Sequence, residues 1–352
     1  MGFRARTISA VIVHYRTPAI LEAAVHALHR DALASGLEMH VIVVDNGASS
    51  ATGERVDGER LEAEVLEPAS NLGYAAGLNL GAREARGEVL LLMNADVVVE
   101  PGCLRALGEA LGEADIAGPR LFWDRGCRLM LPPQQVRTRV AELDAAWAER
   151  SVVWGRSYRR RWRRRARAFW SAREPVACFE LSGAFLAVRR DYWERTVPFD
   201  EGYRLYFEET DWLLRARGLG ARAVLAPAAR AVHAYDQSAK REPRSQMWFE
   251  QSMARFRRHW YGAWFGALLR LIERAPRRFA DPVPLPAGPV EGSAAGETWV
   301  EVTPLPLGVP AAGCRLEGGA VPAEFELPED VVEGARSELH VRASDGACRD
   351  LG

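Results

Sequence analysis

The first ordered signal in the chain is an unbroken apolar run, Ile8 to Val13 within "ISAVIVHY", which breaks at His14. A strand with one wet face alternates polar and apolar residues, whereas a continuous β-branched run predicts a strand buried on both faces of a parallel sheet. A parallel neighbour needs a crossover, and "PAILEAAVHALHRDAL" offers a helix. Pro18 opens it, apolar residues recur at spacings of three and four, and "SGL" stops it. The alternation continues through the strand "MHVIVVDNGASS", a weaker strand in "LEAEVLEP", a helix behind a Gly-rich turn in "NLGYAAGLNLGAREARG", and a fourth strand in "EVLLLMNAD". Strands alternating with helices predict an α/β fold built on a doubly wound, mostly parallel sheet.

Past Pro101, "PGCLRALGEALGEAD" predicts another helix. Residues 124–176 are less regular and contain "RSYRRRWRRRARAFW", an arginine cluster with interleaved aromatics. Order returns with a strand in "SGAFLAVRR", a helix from Glu208, a strand in "ARAVLAPAARAVHAY" and a helical stretch from Ser245 to Arg274. "DPVPLPAGP" reads as a linker. The short alternating segments beyond it, among them "TWVEVTPLPL" and "ELHVRASDG", predict a small β-rich appendage. The expected boundaries are therefore a main domain over 1–275 with a variable part at 124–176, a linker over 276–296, and a β-rich domain or fragment over 297–352.

Composition narrows the function classes. At 352 residues the chain suits one large domain with an appendage, and 46 basic against 47 acidic side chains exclude a global field that would steer it onto nucleic acid. Five scattered cysteines without a CxxC pair favour a reducing compartment over a disulfide framework or zinc site. The opening apolar run is too short for a signal peptide, and "YGAWFGALL" falls well below the roughly 20 residues of a spanning helix.

Two acids sit where buried strands should end: Asp45 in Asp45-Asn46-Gly47 and Asp96 in Asn94-Ala95-Asp96. Doubly wound sheets bind ligands outside the carboxyl ends of their strands, so both acids are expected at one ligand-facing rim. Three acids, Glu208, Glu209 and Asp211, open a later helix. The helix dipole explains one acid there more readily than three. On the residues alone, Asp45 could equally brace an Asx-turn, Asn94 to Asp96 could be a strand-ending turn, and His233 could be structural.

Taken in order and spacing, "VIVHY", "VVDNGASS", "NLGYAAGLNLGAREARGEVLLLMNAD", "SGAFLAVRR", "FDEGYRLYFEETDWLLR" and "VHAYDQS" resemble the family 2 inverting glycosyltransferases of the GT-A fold, especially the rhamnosyltransferase-like branch. The resemblance spans about residues 7–262. It implies that Asp45 and Asn46 contact the nucleotide, that Gly73, Asn79 and Gly81 form a donor-side turn, and that Ser182 and Gly183 lie beside the donor sugar. Asp96, Asn94 and His233, with Ser238 nearby, would serve a divalent cation, Mn²⁺ or Mg²⁺. Asn94 stands where an acid is common, so the metal would lean on the donor's phosphates. Glu209 takes the general-base position, with Glu208 and Asp211 shaping the site. The implied partners are a nucleotide-diphosphate sugar and a glycan or lipid-linked acceptor, with dTDP-rhamnose the donor suggested by the branch. The implied location is cytoplasmic, with peripheral contact at the inner face of the plasma membrane.

Two rivals follow from the same residues. A nucleotidyl-transferring or sugar-nucleotide-binding protein of the same fold would have no use for a base at Glu209. A nucleic-acid-binding protein would act through Arg159 to Arg167, although no nucleic acid is expected from the overall charge. That arginine run also suits an anionic membrane, a solvated surface helix, or packing against the acidic C-terminal segment. Oligomeric state is not legible.

Overall fold

The computed structural model describes residues 5–47, 55–234, 244–278, 288–289, 298–316, 320–321, 327–329, 331, 339–344, 347–348 and 350–351. Ser238 and most of the expected linker lie outside them. The chain divides into two compact units, residues 1–121 with 173–260 and residues 122–172 with 261–352.

The first unit is built on a nine-stranded sheet. Its strands are β1 (Thr7–His14), β2 (Glu38–Asp45), β3 (Ala63–Leu66), β4 (Val89–Asn94), β5 (Val97–Val99), β6 (Ile116–Phe122), β7 (Val176–Ala177), β8 (Phe185–Arg189) and β9 (Ala223–His233). The order is β3-β2-β1-β4-β8-β6-β9-β5, with β7 beside β9. The half β3-β2-β1-β4 is parallel, as its apolar runs predict. β8 then runs antiparallel to β4, and β5 antiparallel to β9, so the sheet is mixed overall.

Register carries the functional consequence. His14 pairs with Asp45, and Val13 with both Val44 and Asn94, which aligns the carboxyl ends of three parallel strands. β1 is buried from Ile8 to His14. The helix Pro18–Ser35 crosses back as predicted, with Pro18 in its first turn and Gly36 left-handed at its end. The helix Tyr74–Glu84 lies close to β1. A side chain at Gly81 would meet Val11 at 2.4 Å, so this glycine serves helix packing rather than the expected donor-side turn.

The second unit departs from the expected boundaries. Residues 124–138 are irregular as expected, but most of the rest of the segment forms the helices Arg139–Ala148 and Val152–Trp170, each capped by a hydroxyl, Thr138 and Ser151. The expected helix over 245–274 breaks at Gly262, whose φ of 84° ends Ser245–Tyr261 and starts Ala263–Glu273. The C-terminal strands Ala312–Leu316, Thr298–Thr303, His340–Ser344 and Asp350–Leu351 form a four-stranded antiparallel sheet in that order.

Trp162, Ala166 and Trp170 from the arginine-rich helix share one core with Trp299, Leu307, Val309 and Ala311. Trp170 stacks on Trp299 at 5.3 Å. That shared burial is why residues 122–172 belong with the C-terminal segment. Arg159, Arg163 and Arg167, at helical spacing, point inward and are buried. Arg163 donates to Glu301 at 2.7 Å, Arg167 to Ser344 at 2.7 Å, and Ser344 in turn to Glu301 at 2.8 Å. Three of the seven arginines of the run are thus internal structure, and of the alternatives the sequence leaves open these contacts match packing against the C-terminal segment.

Candidate active site

Asp45 ends β2 and is wholly buried. Its Oδ1 accepts from His14 Nδ1 at 3.0 Å and from the Gly47 N–H at 2.9 Å. The Thr17 N–H donates to His14 Nε2 at 2.8 Å, which fixes that nitrogen as an acceptor and the proton on Nδ1. The carboxylate is therefore held in one rotation by a histidine that the sequence reading left without a role. Its other oxygen, Oδ2, is buried with no partner among the described residues. A buried carboxylate oxygen left unpaired costs about 1–3 kcal/mol or more, so a ligand N–H or hydroxyl fits there. Asn46 does not share that freedom. Its amide donates to the Gly73 carbonyl and accepts from the Leu72 N–H, tying the rim of β2 to the turn before the helix Tyr74–Glu84.

Gly73 is left-handed at φ 88°, and a Cβ there would lie 2.5 Å from the Arg204 carbonyl oxygen. Only glycine lets this turn press against the loop that leads to Glu208. Asn79 is engaged elsewhere. Its two amide hydrogens go to the Phe199 carbonyl and Glu201, and its oxygen accepts from the Phe199 N–H. It fixes the 199–201 loop, a positioning task rather than the expected donor contact.

Asp96 lies between β4 and β5 and is buried, as is His233 at the end of β9. The antiparallel pairing of Val97 with His233 brings the two together, Oδ1 to Nε2 at 3.3 Å. Asn94 Nδ2 reaches the same ring nitrogen at 3.5 Å. Two ligands about 2.1 Å from one ion and at right angles to each other stand about 3 Å apart, so a carboxylate and an imidazole at this separation fit a divalent cation. Among the described residues, no three His, Cys, Asp or Glu side chains gather closely enough to hold a metal unaided. The protein donor set is thus small and would need oxygen ligands from a bound phosphate.

The third component opens the helix Glu208–Gly218. The two residues before it, Tyr206 and Phe207, both have positive φ, at 67° and 70°. Side chains rarely adopt this conformation except where packing enforces it. Phe207 lies against Phe249 and Phe256 at 5.6 and 5.3 Å, and Tyr206 against Phe249 at 5.5 Å. Glu208 is buried, and burial followed by the charge of Glu209 pushes its carboxyl well above the ordinary range. Its Oε2 has no partner among the described residues. Glu209 lies across Gly183, where a Cβ would meet its Cγ at 2.5 Å. Gly183 therefore makes room for the neighbouring carboxylate itself.

Tyr74, which the sequence reading did not single out, links these parts. Its hydroxyl donates to the Gly183 carbonyl at 3.1 Å. Burial first, and then the charges of Glu208, Glu209 and Asp96, push its pKa well above the ordinary phenol value. One phenol therefore feels both the acids of the helix start and the acid at the strand end. Asp211 does not join them as a free group. Arg215 Nε occupies one oxygen at 2.8 Å and Trp260 Nε1 the other at 2.9 Å, so it anchors the helix.

Strand-end acids, a carboxylate–imidazole pair and a buried glutamate beside a second, partly exposed one thus line this unit. Residues 9–192, more than half of the chain, match the model of glycosyl transferase family 2, and the chain belongs to that family. It is a glycosyltransferase with a mixed, mostly parallel α/β sheet of the GT-A class. Among characterised proteins it is similar to the N-acetylglucosaminyl-diphospho-decaprenol L-rhamnosyltransferase of two strains of Mycobacterium tuberculosis, CDC 1551 / Oshkosh and ATCC 25618 / H37Rv. Each is 27% identical over 236 residues, which cover 61% of this chain and 73% of the relative. Similar solved structures include the mannosyltransferase PcManGT from Pyrobaculum calidifontis in complex with GDP-Man and Mn²⁺. It has TM-score 0.42 and 15% identity, over 77% of this chain and 74% of that one. GalNAc-T7 with UDP, GalNAc and Mn²⁺ has TM-score 0.47 and 12% identity, over 78% of this chain and 56% of that one.

Proposed function

We propose that the protein is a metal-dependent inverting glycosyltransferase that moves a sugar, rhamnose from dTDP-rhamnose as the specific assignment, onto a hydroxyl of a lipid-linked glycan in cell-surface polysaccharide synthesis. It would work in the cytoplasm at the inner face of the plasma membrane. The observation that carries the chemistry is the junction at Gly183, whose carbonyl takes the Tyr74 hydroxyl at 3.1 Å and over which Glu209 lies, with Glu208 and Asp96 among the charges that raise the pKa of the buried phenol. The rhamnosyl assignment rests on the two mycobacterial relatives.

The roles divide by environment. Asp45 presents its unpartnered Oδ2 to the nucleotide. Asp96 and His233 hold a divalent cation, which when bound supplies positive charge to the diphosphate as it leaves. Of two adjacent carboxyls that cannot both ionise cheaply, the more buried Glu208 keeps its proton, and Glu209 is left as the acceptor. Glu209 removes the acceptor hydroxyl's proton as its oxygen bonds to the anomeric carbon and the bond to the diphosphate breaks, with inversion.

The test is transfer from dTDP-rhamnose to a polyprenyl-diphosphate N-acetylglucosamine, with the new linkage read by NMR. Glu209→Gln should lower kcat roughly 100- to 10,000-fold while calorimetric donor binding stays within about twofold. Unimpaired turnover in that variant would remove the base assignment, and retention of configuration would remove the single displacement. Activity with a different nucleotide sugar would replace the donor and leave the mechanism standing.

A further inference from the structure

The helix Ala263–Glu273 buries only one side. Phe265 and Leu269 face inward at 1% and 0% exposure, whereas Trp264, Leu268 and Leu271 are 63%, 38% and 63% exposed. Their spacing of four and three places them within an arc of about 60° on a helix that turns about 100° per residue. The stripe is therefore continuous, and it is an uncommon thing to leave in water.

Its surroundings are basic. Residues 263–278 contain Arg270, Arg274, Arg277 and Arg278 against the single acid Glu273, and all four arginines are exposed. From the adjoining helix, the Arg139 guanidinium lies 5.6 Å from the Trp264 ring. A second copy of the chain would fit this face poorly, because a two-fold contact would set the same arginines against themselves. An anionic bilayer satisfies both halves of the pattern: acyl chains take the Trp and Leu side chains, and headgroup phosphates take the guanidinium groups. At 11 residues the helix is far too short to cross, and among the described residues no helix is long and apolar enough to do so.

We infer that Ala263–Glu273 is a docking surface for an anionic lipid bilayer and lies in the headgroup layer. This moves the expected membrane contact away from the arginine run at 159–167, whose inward half is engaged with Glu301, Ser344 and Leu307. The inference stands whatever sugar or acceptor the enzyme uses.

Co-sedimentation of the full chain with phosphatidylglycerol vesicles, compared with phosphatidylcholine vesicles, tests it. Wild type should prefer phosphatidylglycerol and lose that preference as salt rises. Leu268→Asp with Leu271→Asp should abolish sedimentation. Arg270→Gln with Arg274→Gln should weaken phosphatidylglycerol binding about 25-fold, at about fivefold for each arginine. Both variants alter exposed positions, and an unchanged melting temperature confirms that they fold. Binding undiminished in both would overturn the proposal. So would absence of vesicle binding together with a dimer that the leucine substitutions dissociate, because that result would assign the stripe to a second copy.

Discussion

Glu301 in the second unit and Glu208 in the first are both buried carboxyls, yet the protein treats them oppositely. Glu301 is wholly buried, and its two oxygens meet Arg163 and Ser344 at 2.7 and 2.8 Å. Glu208 is 3% exposed, its neighbour is another acid, and one oxygen has no partner among the described residues. A buried carboxylate with both oxygens paired fixes a fold, while a buried carboxyl with an unpaired oxygen leaves room for a ligand to bind. Asp45 sits between these cases, with one oxygen held by His14 and Gly47 and the other open.

Breaking the satisfied carboxylate should have the largest effect. Glu301→Gln leaves the Arg163 guanidinium, 1% exposed, without its counter-charge. It should cost about 3 kcal/mol or more, seen as a lower urea midpoint of the full chain. A midpoint unchanged from wild type would mean that the ion pair does no more than fill space. Asp45→Asn comes next, since it keeps the shape but removes the charge at the open oxygen. Binding of the nucleotide diphosphate should weaken roughly tenfold or more, with melting altered little. The smallest effect is Glu208→Gln, and its sign depends on pH. A carboxyl raised in the folded state is fully compatible with folding below its unfolded value of about 4.3, and its burial penalises the fold increasingly as pH rises toward the folded value. The glutamine variant should therefore match wild type near pH 4 and become relatively more stable by about pH 8. A constant difference between the two melting curves across that range would contradict a raised Glu208.

Much of the first unit was legible because its strands announce themselves. The β-branched runs before His14, Asp45 and Asn94 leave little freedom in where a parallel sheet ends, and strand ends are where ligands bind. Glu208 and Glu209 were legible from three acids in one helical turn. His14 and Tyr74 were missed, although a signal existed for one of them: His14 closes β1 as Asp45 closes β2, and parallel register then forces them together. Tyr74 gave no signal, because its role depends on Gly183, more than a hundred residues away. Asp211 came to the site through the family resemblance of its motif. Arg215 four residues on was the warning, since that interval favours an ion pair along the helix. The second unit was least legible. Its arginines look solvent-facing until Glu301 and Ser344, well over a hundred residues later, supply their partners, and no local pattern carries that distance.

The paired left-handed residues Tyr206 and Phe207 carry one more implication. A backbone that resists its own geometry at the doorstep of two acids is held there by the helix Ser245–Tyr261, through Phe249, Phe256 and the Ser252 hydroxyl on the Leu205 carbonyl. Apart from Trp260 on Asp211, that helix makes its hold through apolar side chains and one backbone carbonyl, yet it works as a jig: loosen it and the doorstep relaxes, leaving every acid present and none of them aimed.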